Sequence, residues 1–169
     1  MTIKAMAFDC FGTIFSMEGI SRDEIRAYVD HVNSNDFSEF QFPESWFHLK
    51  AHPDSAVGIK MLQEQGFLCG TLSNGSASLL KKISEENGIF WDFIIDLAAH
   101  KVYKPHKEAY TTVQKDTGVP PRESLMVTAN PDFGDIEGGA FVGMIPQVIR
   151  QPGCPRDVIA FAKSIRREP

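Results

Sequence analysis

The sequence lacks the features that would tie it to a membrane, to nucleic acid or to an oxidising compartment. No apolar run approaches the ~20 residues that a bilayer span requires, and the first residues read as a strand rather than as a charged-then-apolar leader. A cytoplasmic protein with no membrane partner is the expectation. Positive charge is not in excess either: 17 Lys and Arg stand against 22 Asp and Glu, a net charge of -5. Without a basic face, nucleic acid is not an expected partner. Cysteine is scarce. Cys10, Cys69 and Cys154 are odd in number and show no metal-ligand spacing, and two of them lie inside apolar runs, so reduced, buried thiols are expected. The histidines His31, His48, His52, His100 and His106 form no ligand pair on a predicted helix face, which leaves them solvated or capping roles. No internal repeat and no low-complexity segment interrupts the chain.

What is present is the composition of a globular domain: 169 residues, 43% hydrophobic and 23% charged. A chain of this length can bury a core of its own. Apolar runs of strand length recur at Ile3 to Phe8, Phe67 to Leu72, Phe93 to Leu97, Leu125 to Thr128 and Met144 to Ile149. Between them lie helical periodicities. Val57, Met61 and Leu62 mark a helix over 54–65 that stops at Gly66; Leu79, Leu80 and Ile83 mark one over 78–87 that stops at Gly88; Ala109, Tyr110 and Val113 mark one over 106–117 that stops at Gly118. Continuously apolar strands alternating with helices predict a doubly wound α/β domain, a parallel sheet covered on both faces. Gly138 and Gly139 then suit close helix packing against the sheet, and the basic tail 163–169 suits a helix terminus.

The alternation fails over residues 16–52. "SRDE" at 21–24 has the form of a capping box, with Ile25, Tyr28, Val29 and Val32 following at helical spacing. The expected organisation is therefore an α/β core formed by 1–15 and 53–169, with a small helical insertion at 16–52. The crowd of aromatics at Phe37, Phe40, Phe42, Trp46 and Phe47 serves to pack that insertion onto the core, with a pocket lining as the less common use of such a cluster.

In a doubly wound sheet, ligands bind beyond the carboxyl ends of the strands, so polar residues immediately after each strand are the ones to weigh. Asp9 ends the first strand and is followed by Gly12 and Thr13. Ser73 and Asn74 follow the second in "TLSNGS", where a hydroxyl, an amide and free N–H groups near a helix start form a seat for an anion. Lys104 follows the third strand region in "VYKP", and Asn130 and Asp135 follow the fourth in "VTANPDFGDIEGG". Taken singly, Ser73 and Asn74 are helix caps, Lys104 a solvated lysine and Asp135 an acid placed by a helix dipole. Taken together, they occupy successive strand ends of one sheet, where side chains converge.

The four stations resemble the haloacid dehalogenase superfamily: an aspartate in "FDCFGT", a serine in "LSNGS", a lysine in "VYKP", and a fourth cluster holding Asn130 and Asp135. The resemblance covers roughly 1–15 and 53–150 and implies a hydrolase with a Rossmann-like core. Phosphatases of that superfamily place a second acid two residues after the nucleophile and hold Mg2+ with acids of the fourth motif. Here those places carry Phe11 and Asn130. Phe11 transfers no proton, and an amide in place of a carboxylate weakens the binding of a hard cation. Both departures, with "LSNG", "VYKP" and "VTAN", are similar to the L-2-haloacid dehalogenase branch, whose chemistry needs no metal because halide leaves without a proton.

The resemblance implies the following roles. Asp9 attacks C2 of a small 2-haloalkanoic acid to give an aspartyl ester, and water oriented by Asp135 with Asn130 hydrolyses it. Lys104 keeps Asp9 ionised, Thr13 orients it, Phe11 lines the substrate site, and Ser73 and Asn74 hold the substrate carboxylate. The branch also uses an arginine from a longer helical cap to receive halide. Arg22 and Arg26 are the only arginines in this short insertion, which makes Arg26 the candidate. A shortened cap leaves the site open, closed by a neighbouring subunit of a homo-oligomer, or bereft of efficient catalysis. Two other readings stay open: an atypical phosphatase with a poor Mg2+ site made by Asp132, near Asp135, with Asp9 and a backbone carbonyl, and a catalytically silent binding protein of the same fold.

Overall fold

Five short apolar segments pair in parallel to form the centre of the computed structural model, which describes residues 2–165. They are β1 (Ala5–Phe8), β2 (Leu68–Thr71), β3 (Phe93–Ile94), β4 (Ser124–Thr128) and β5 (Ile145–Val148), in the spatial order β3-β2-β1-β4-β5. The register sets Phe8 beside Thr71 of β2 and Val127 of β4. Strand order reverses at β1, where the chain first builds outward through β2 and then returns to the other side through β4. A crevice forms at such a reversal, beyond the carboxyl ends of the strands.

Both faces of the sheet are covered. Met6 and Phe8 pack with residues of α2 (Ser55–Glu64), α3 (Ala77–Glu86) and α6 (Val158–Ser164), whereas Ala7 and Met126 pack with α4 (Lys107–Thr117). α5 (Asp135–Val142) closes the second face, and its two glycines are the reason it fits. A Cβ on Gly138 would lie 2.1 Å from the Tyr110 ring of α4, and one on Gly139 would lie 3.2 Å from Met126 Cβ of β4. One glycine admits the neighbouring helix and the other admits the sheet. The predicted doubly wound α/β class is the observed one.

The predicted strands and helices are present with boundaries shifted by a few residues, except that β3 is cut to two residues. Ile95 and Leu97 are buried all the same, by the second core rather than by the ladder. Of the apolar face assigned to α2, Leu62 is buried and Met61 packs against the core, whereas Val57 points outward. Val57 is 53% exposed, while Ser55, Gly58, Ile59 and Leu62 face inward. Gly58 lets α6 approach so closely that a Cβ there would lie 2.6 Å from Val158. Counting only large side chains hid this face, because its contact is made by two small ones.

Residues 16–52 contribute no strand. They hold α1 (Arg22–Asn33), begun by the capping box of Ser21 and Glu24, and a 3-10 turn at Glu44–His48. Tyr28, Phe40, Phe42 and Trp46 of this segment form one group of tilted and edge-to-face rings: Tyr28 lies 5.5 Å from Phe42 and 5.3 Å from Trp46, ring centre to ring centre. Trp46 is fully buried, so the group fastens the segment to the core. Of the basic tail, Lys163 closes the last turn of α6, and residues 166–169 lie outside the described residues. Among the described residues, no helix is long and apolar enough to cross a membrane.

Candidate active site

The site begins where β1 stops. Asp9 N–H still donates to Val127 O at 2.9 Å, which fixes the Asp9 backbone against β4. The chain then turns tightly: the N–H groups of Thr13, Ile14 and Phe15 all converge on Cys10 O, and Gly12 takes a φ of +82° that a β-carbon would strain. The turn brings Thr13 back under Asp9. Thr13 Oγ1 donates to Asp9 Oδ2 at 2.8 Å and accepts from Ala129 N–H at 2.9 Å. From the end of β4, Asn130 Nδ2 donates to the same Asp9 oxygen at 2.8 Å and to Phe11 O at 3.0 Å.

The other Asp9 oxygen faces a cation. Lys104 Nζ lies 3.1 Å from Asp9 Oδ1 and 3.0 Å from Asp135 Oδ1, with only 9% of its side chain exposed. Burial opposes the ammonium, yet the carboxylates of Asp9 and Asp135 outweigh it and hold the lysine above its ordinary pKa. Asp135, the first residue of α5, moves upward mainly through burial. Lys104 opposes that rise and the negative charge of Asp9 adds to it. Tyr110 of α4 donates its hydroxyl to Asp135 Oδ1 at 2.9 Å, which fixes the carboxylate.

Lys104 is itself positioned by Asn74. The Asn74 amide donates to Lys104 O at 2.9 Å and accepts from Lys104 N–H at 2.7 Å, tying the loop after β2 to the loop that carries the lysine. The side chain expected to hold a substrate carboxylate is thereby occupied as a structural clamp. Ser73 Oγ accepts from Gly75 N–H at 3.2 Å and lines the cavity beside it.

Above these groups opens a cavity of about 370 Å3, lined at one end by Asp9, Ser73, Lys104, Asn130 and Asp135. Its other end is apolar: Phe11, Met17, Trp46 and Phe133 join Ile25, Tyr28, Val29 and Val32 of α1. Phe11 stands edge-on to Trp46 at 5.2 Å and to Tyr28 at 5.7 Å. A Cβ on Gly75 would lie 2.8 Å from the Phe11 ring, so this glycine gives the ring its place.

Among the described residues, no three His, Cys, Asp or Glu side chains gather to hold a metal ion. The donor set does not fit a divalent cation. Asp9 and Asp135 share an ammonium, Asn130 presents an amide, and Asp132 is exposed and does not line the cavity.

Known proteins supply an independent comparison. A model of the haloacid dehalogenase-like hydrolases matches residues 44–143, more than half of the sequence. The chain belongs to this family. The matched region contains Ser73, Asn74, Lys104, Asn130 and Asp135 and begins after Asp9. (S)-2-haloacid dehalogenase H-109 of Pseudomonas putida is 24% identical over 123 residues, which is 70% of this chain and 55% of that protein. Haloacetate dehalogenase H-2 of Moraxella sp. (strain B) is 25% identical over 114 residues, 66% of this chain and 50% of that protein. The chain thus spans about half the length of the curated relatives it matches. Among solved structures, a defluorinating L-2-haloacid dehalogenase superposes with a TM-score of 0.78 at 21% identity, covering 96% of this chain and 94% of that one. L-2-haloacid dehalogenase of Xanthobacter autotrophicus with chloropropionic acid covalently bound gives 0.70 at 20% identity, covering 99% and 89%. These likenesses are of fold.

In this member of the haloacid dehalogenase-like hydrolases, Asp9, Thr13, Lys104, Asn130 and Asp135 make direct contacts with one another, and Phe11, Ser73 and Asn74 line the same cavity. Arg26 is not brought there. It is exposed, as is Arg22, because α1 turns the positions of Ile25, Tyr28, Val29 and Val32 toward the cavity and the arginine away from it.

Two participants escaped the sequence reading. Tyr110 was counted only as an apolar face residue, although its hydroxyl was the signal that it could reach a polar partner. Arg150 lies just beyond the end of β5, where a polar residue after a strand was its signal. Its Nε donates to Thr13 O at 2.9 Å, and its guanidinium pairs bidentately with Asp54 at 2.9 Å. It braces the turn that carries Thr13 without entering the cavity.

Proposed function

We propose that this protein hydrolytically dehalogenates 2-haloalkanoic acids with Asp9 as nucleophile and without a metal. The observation that carries the reading is the Lys104 ammonium lying between Asp9 and Asp135. A fixed cation at this point pairs with the Asp9 carboxylate and holds it in place.

In the first step Asp9 Oδ1 attacks C2, a carbon–oxygen bond forms, and halide leaves with the bonding pair. Asp9 Oδ2 stays on Thr13 and Asn130, so the carboxylate presents one oxygen to the substrate. In the second step water adds to the aspartyl carbonyl carbon and gives a proton to Asp135; the bond from that carbon to the substrate oxygen then breaks, the departing alkoxide takes the proton back from Asp135 to become the 2-hydroxy acid, and the Asp9 carboxylate is restored. Asn130, within hydrogen-bond reach of Asp9, steadies the oxygen on which charge develops. Phe11 fits the first step because halide leaves without a proton, whereas the leaving group of a phosphoryl transfer would take one from the acid that Phe11 replaces. Residues 16–52 act as a reduced cap. Backbone N–H groups beside Ser73 take the carboxylate-holding role from the Asn74 amide, which is occupied.

The test is halide release from each enantiomer of 2-chloropropionate, with EDTA and with Mg2+, using Asp9→Asn as control. Release that is unaffected by EDTA, confined to one enantiomer and lost by at least ~10³-fold in the variant is expected. Release that needs Mg2+, or that persists in Asp9→Asn, overturns the mechanism.

A further inference from the structure

The cavity is divided into two ends, and the division identifies its ligand more narrowly than the reaction does. Among the described residues, charged side chains reach the cavity only from the strand ends, and the helical wall adds one amide residue, Asn33 at the end of α1. The opposite wall is built by Ile25, Tyr28, Val29 and Val32 of α1, with Met17 and Trp46, and holds no charged group. Two large apolar side chains remain open to solvent at this cavity, Val29 at 41% and Phe133 at 75% exposure. Exposed apolar surface in one concave place marks a binding wall rather than a core.

Size points the same way. A three-carbon 2-halo acid has about six heavy atoms and, even at roughly the 30 Å3 that a water occupies in the liquid, an upper bound for covalently bonded atoms, fills no more than about 180 Å3. That is near half of the 370 Å3 cavity. Charge adds a third constraint. Among the described residues, the one Lys or Arg lining the cavity, Lys104, is engaged by two carboxylates, so this lining offers no free cation to hold a small anionic acid by charge alone. Affinity beyond what the backbone N–H groups beside Ser73 supply has to come from the apolar end.

We infer that the site takes medium-chain acids, with the reactive C2 and its carboxylate at the Asp9 end and an alkyl or aryl substituent of roughly four to six carbons against α1. The inference rests on the proposed dehalogenation for the identity of the reacting head, and on the cavity alone for the tail.

Two measurements separate these. Calorimetric binding of 2-hydroxy acids, the product class, is compared from 2-hydroxypropionate to 2-hydroxyoctanoate in the full chain. Each added methylene is expected to tighten binding about threefold to fourfold until the apolar end is filled. Halide release from the matching 2-bromo acids is expected to rise in kcat/KM along the same series. Val29→Trp, at a half-exposed position, is expected to weaken binding more the longer the chain. A flat or falling affinity series overturns the inference, whatever the halide assay gives. Halide release that favours 2-bromopropionate also overturns it while leaving the dehalogenation standing. Affinity that grows with length in the absence of any halide release supports the apolar subsite and removes the dehalogenation.

Discussion

At the scale of single residues, the chemistry turns on how one cation is shared. Lys104 is buried between two acids, and a carboxylate losing such a neighbour becomes easier to protonate. Asp135 already sits above the ordinary carboxylate range because it is buried, with Lys104 opposing the rise. As pH falls through that raised value, Asp135 takes up a proton and can no longer accept one from water. The rate of halide release at steady state is therefore expected to fall on the acid side at a pH above the ~3.9 of an unperturbed aspartate. In Lys104→Met the midpoint of that fall is expected to move up by about 1–3 pH units, with a drop of about 10³-fold in kcat at neutral pH. A pH profile whose acid limb stays in place in the variant would remove Lys104 from control of Asp135. The same positions show what a sequence can carry. Asp9, Lys104 and Asp135 were legible because each follows a strand, whereas the occupation of the Asn74 amide by the Lys104 backbone was not, since no local pattern reveals which loop a side chain will meet.

At the scale of elements, α4 and α5 place the Asp135 carboxylate by their close approach. The ring of Tyr110 lies where a Gly138 side chain would be, and its hydroxyl reaches Asp135 only because that space is empty. Gly138→Ala is expected to destabilise the fold by about 1–3 kcal/mol through overpacking, seen as a lower urea midpoint at an unchanged slope. It is also expected to reduce kcat while KM for 2-chloropropionate changes little, because Tyr110 moves from Asp135 and the substrate contacts do not. Equal stability to the parent protein would show that the helices separate without strain. The misplacement of Val57 on α2 has the same origin. Small residues make the closest contacts and carry the weakest hydrophobic signal, so periodicity named Val57 where Ser55 and Gly58 are the packed positions.

At the scale of the whole molecule, Arg150 ties together parts of the chain that are distant in sequence: the turn at Thr13, the start of α2 at Asp54, and its own loop after β5. Burial alone would raise the Asp54 pKa, but the Arg150 guanidinium and the Val158 N–H outweigh it and hold the carboxyl below its ordinary value. A depressed carboxyl contributes stability that is present above its unfolded pKa of about 3.9 and is lost as pH falls through the folded one. Arg150→Ala is expected to cost about 2–3 kcal/mol at pH 7, between the values for exposed and fully buried pairs. In urea unfolding the gap between the variant and the parent protein is expected to narrow as pH drops below about 4. A gap that stays constant across that range would assign the effect to the Thr13 contact and not to the ion pair.

The sequence by itself determined the class of fold, the order of strands and helices, and the four places where chemistry gathers. Apolar runs, helical spacing and turn glycines are local properties, and the rule that sites lie beyond strand ends converts order into position. Tertiary structure alone decided which of the named side chains meet. It set Arg26 outside the cavity by the rotation of α1, turned Asn74 into a clamp, and recruited Tyr110 and Arg150. Each of those outcomes depends on the direction of a side chain relative to a residue tens of positions away, and direction is fixed by packing rather than by the local chain.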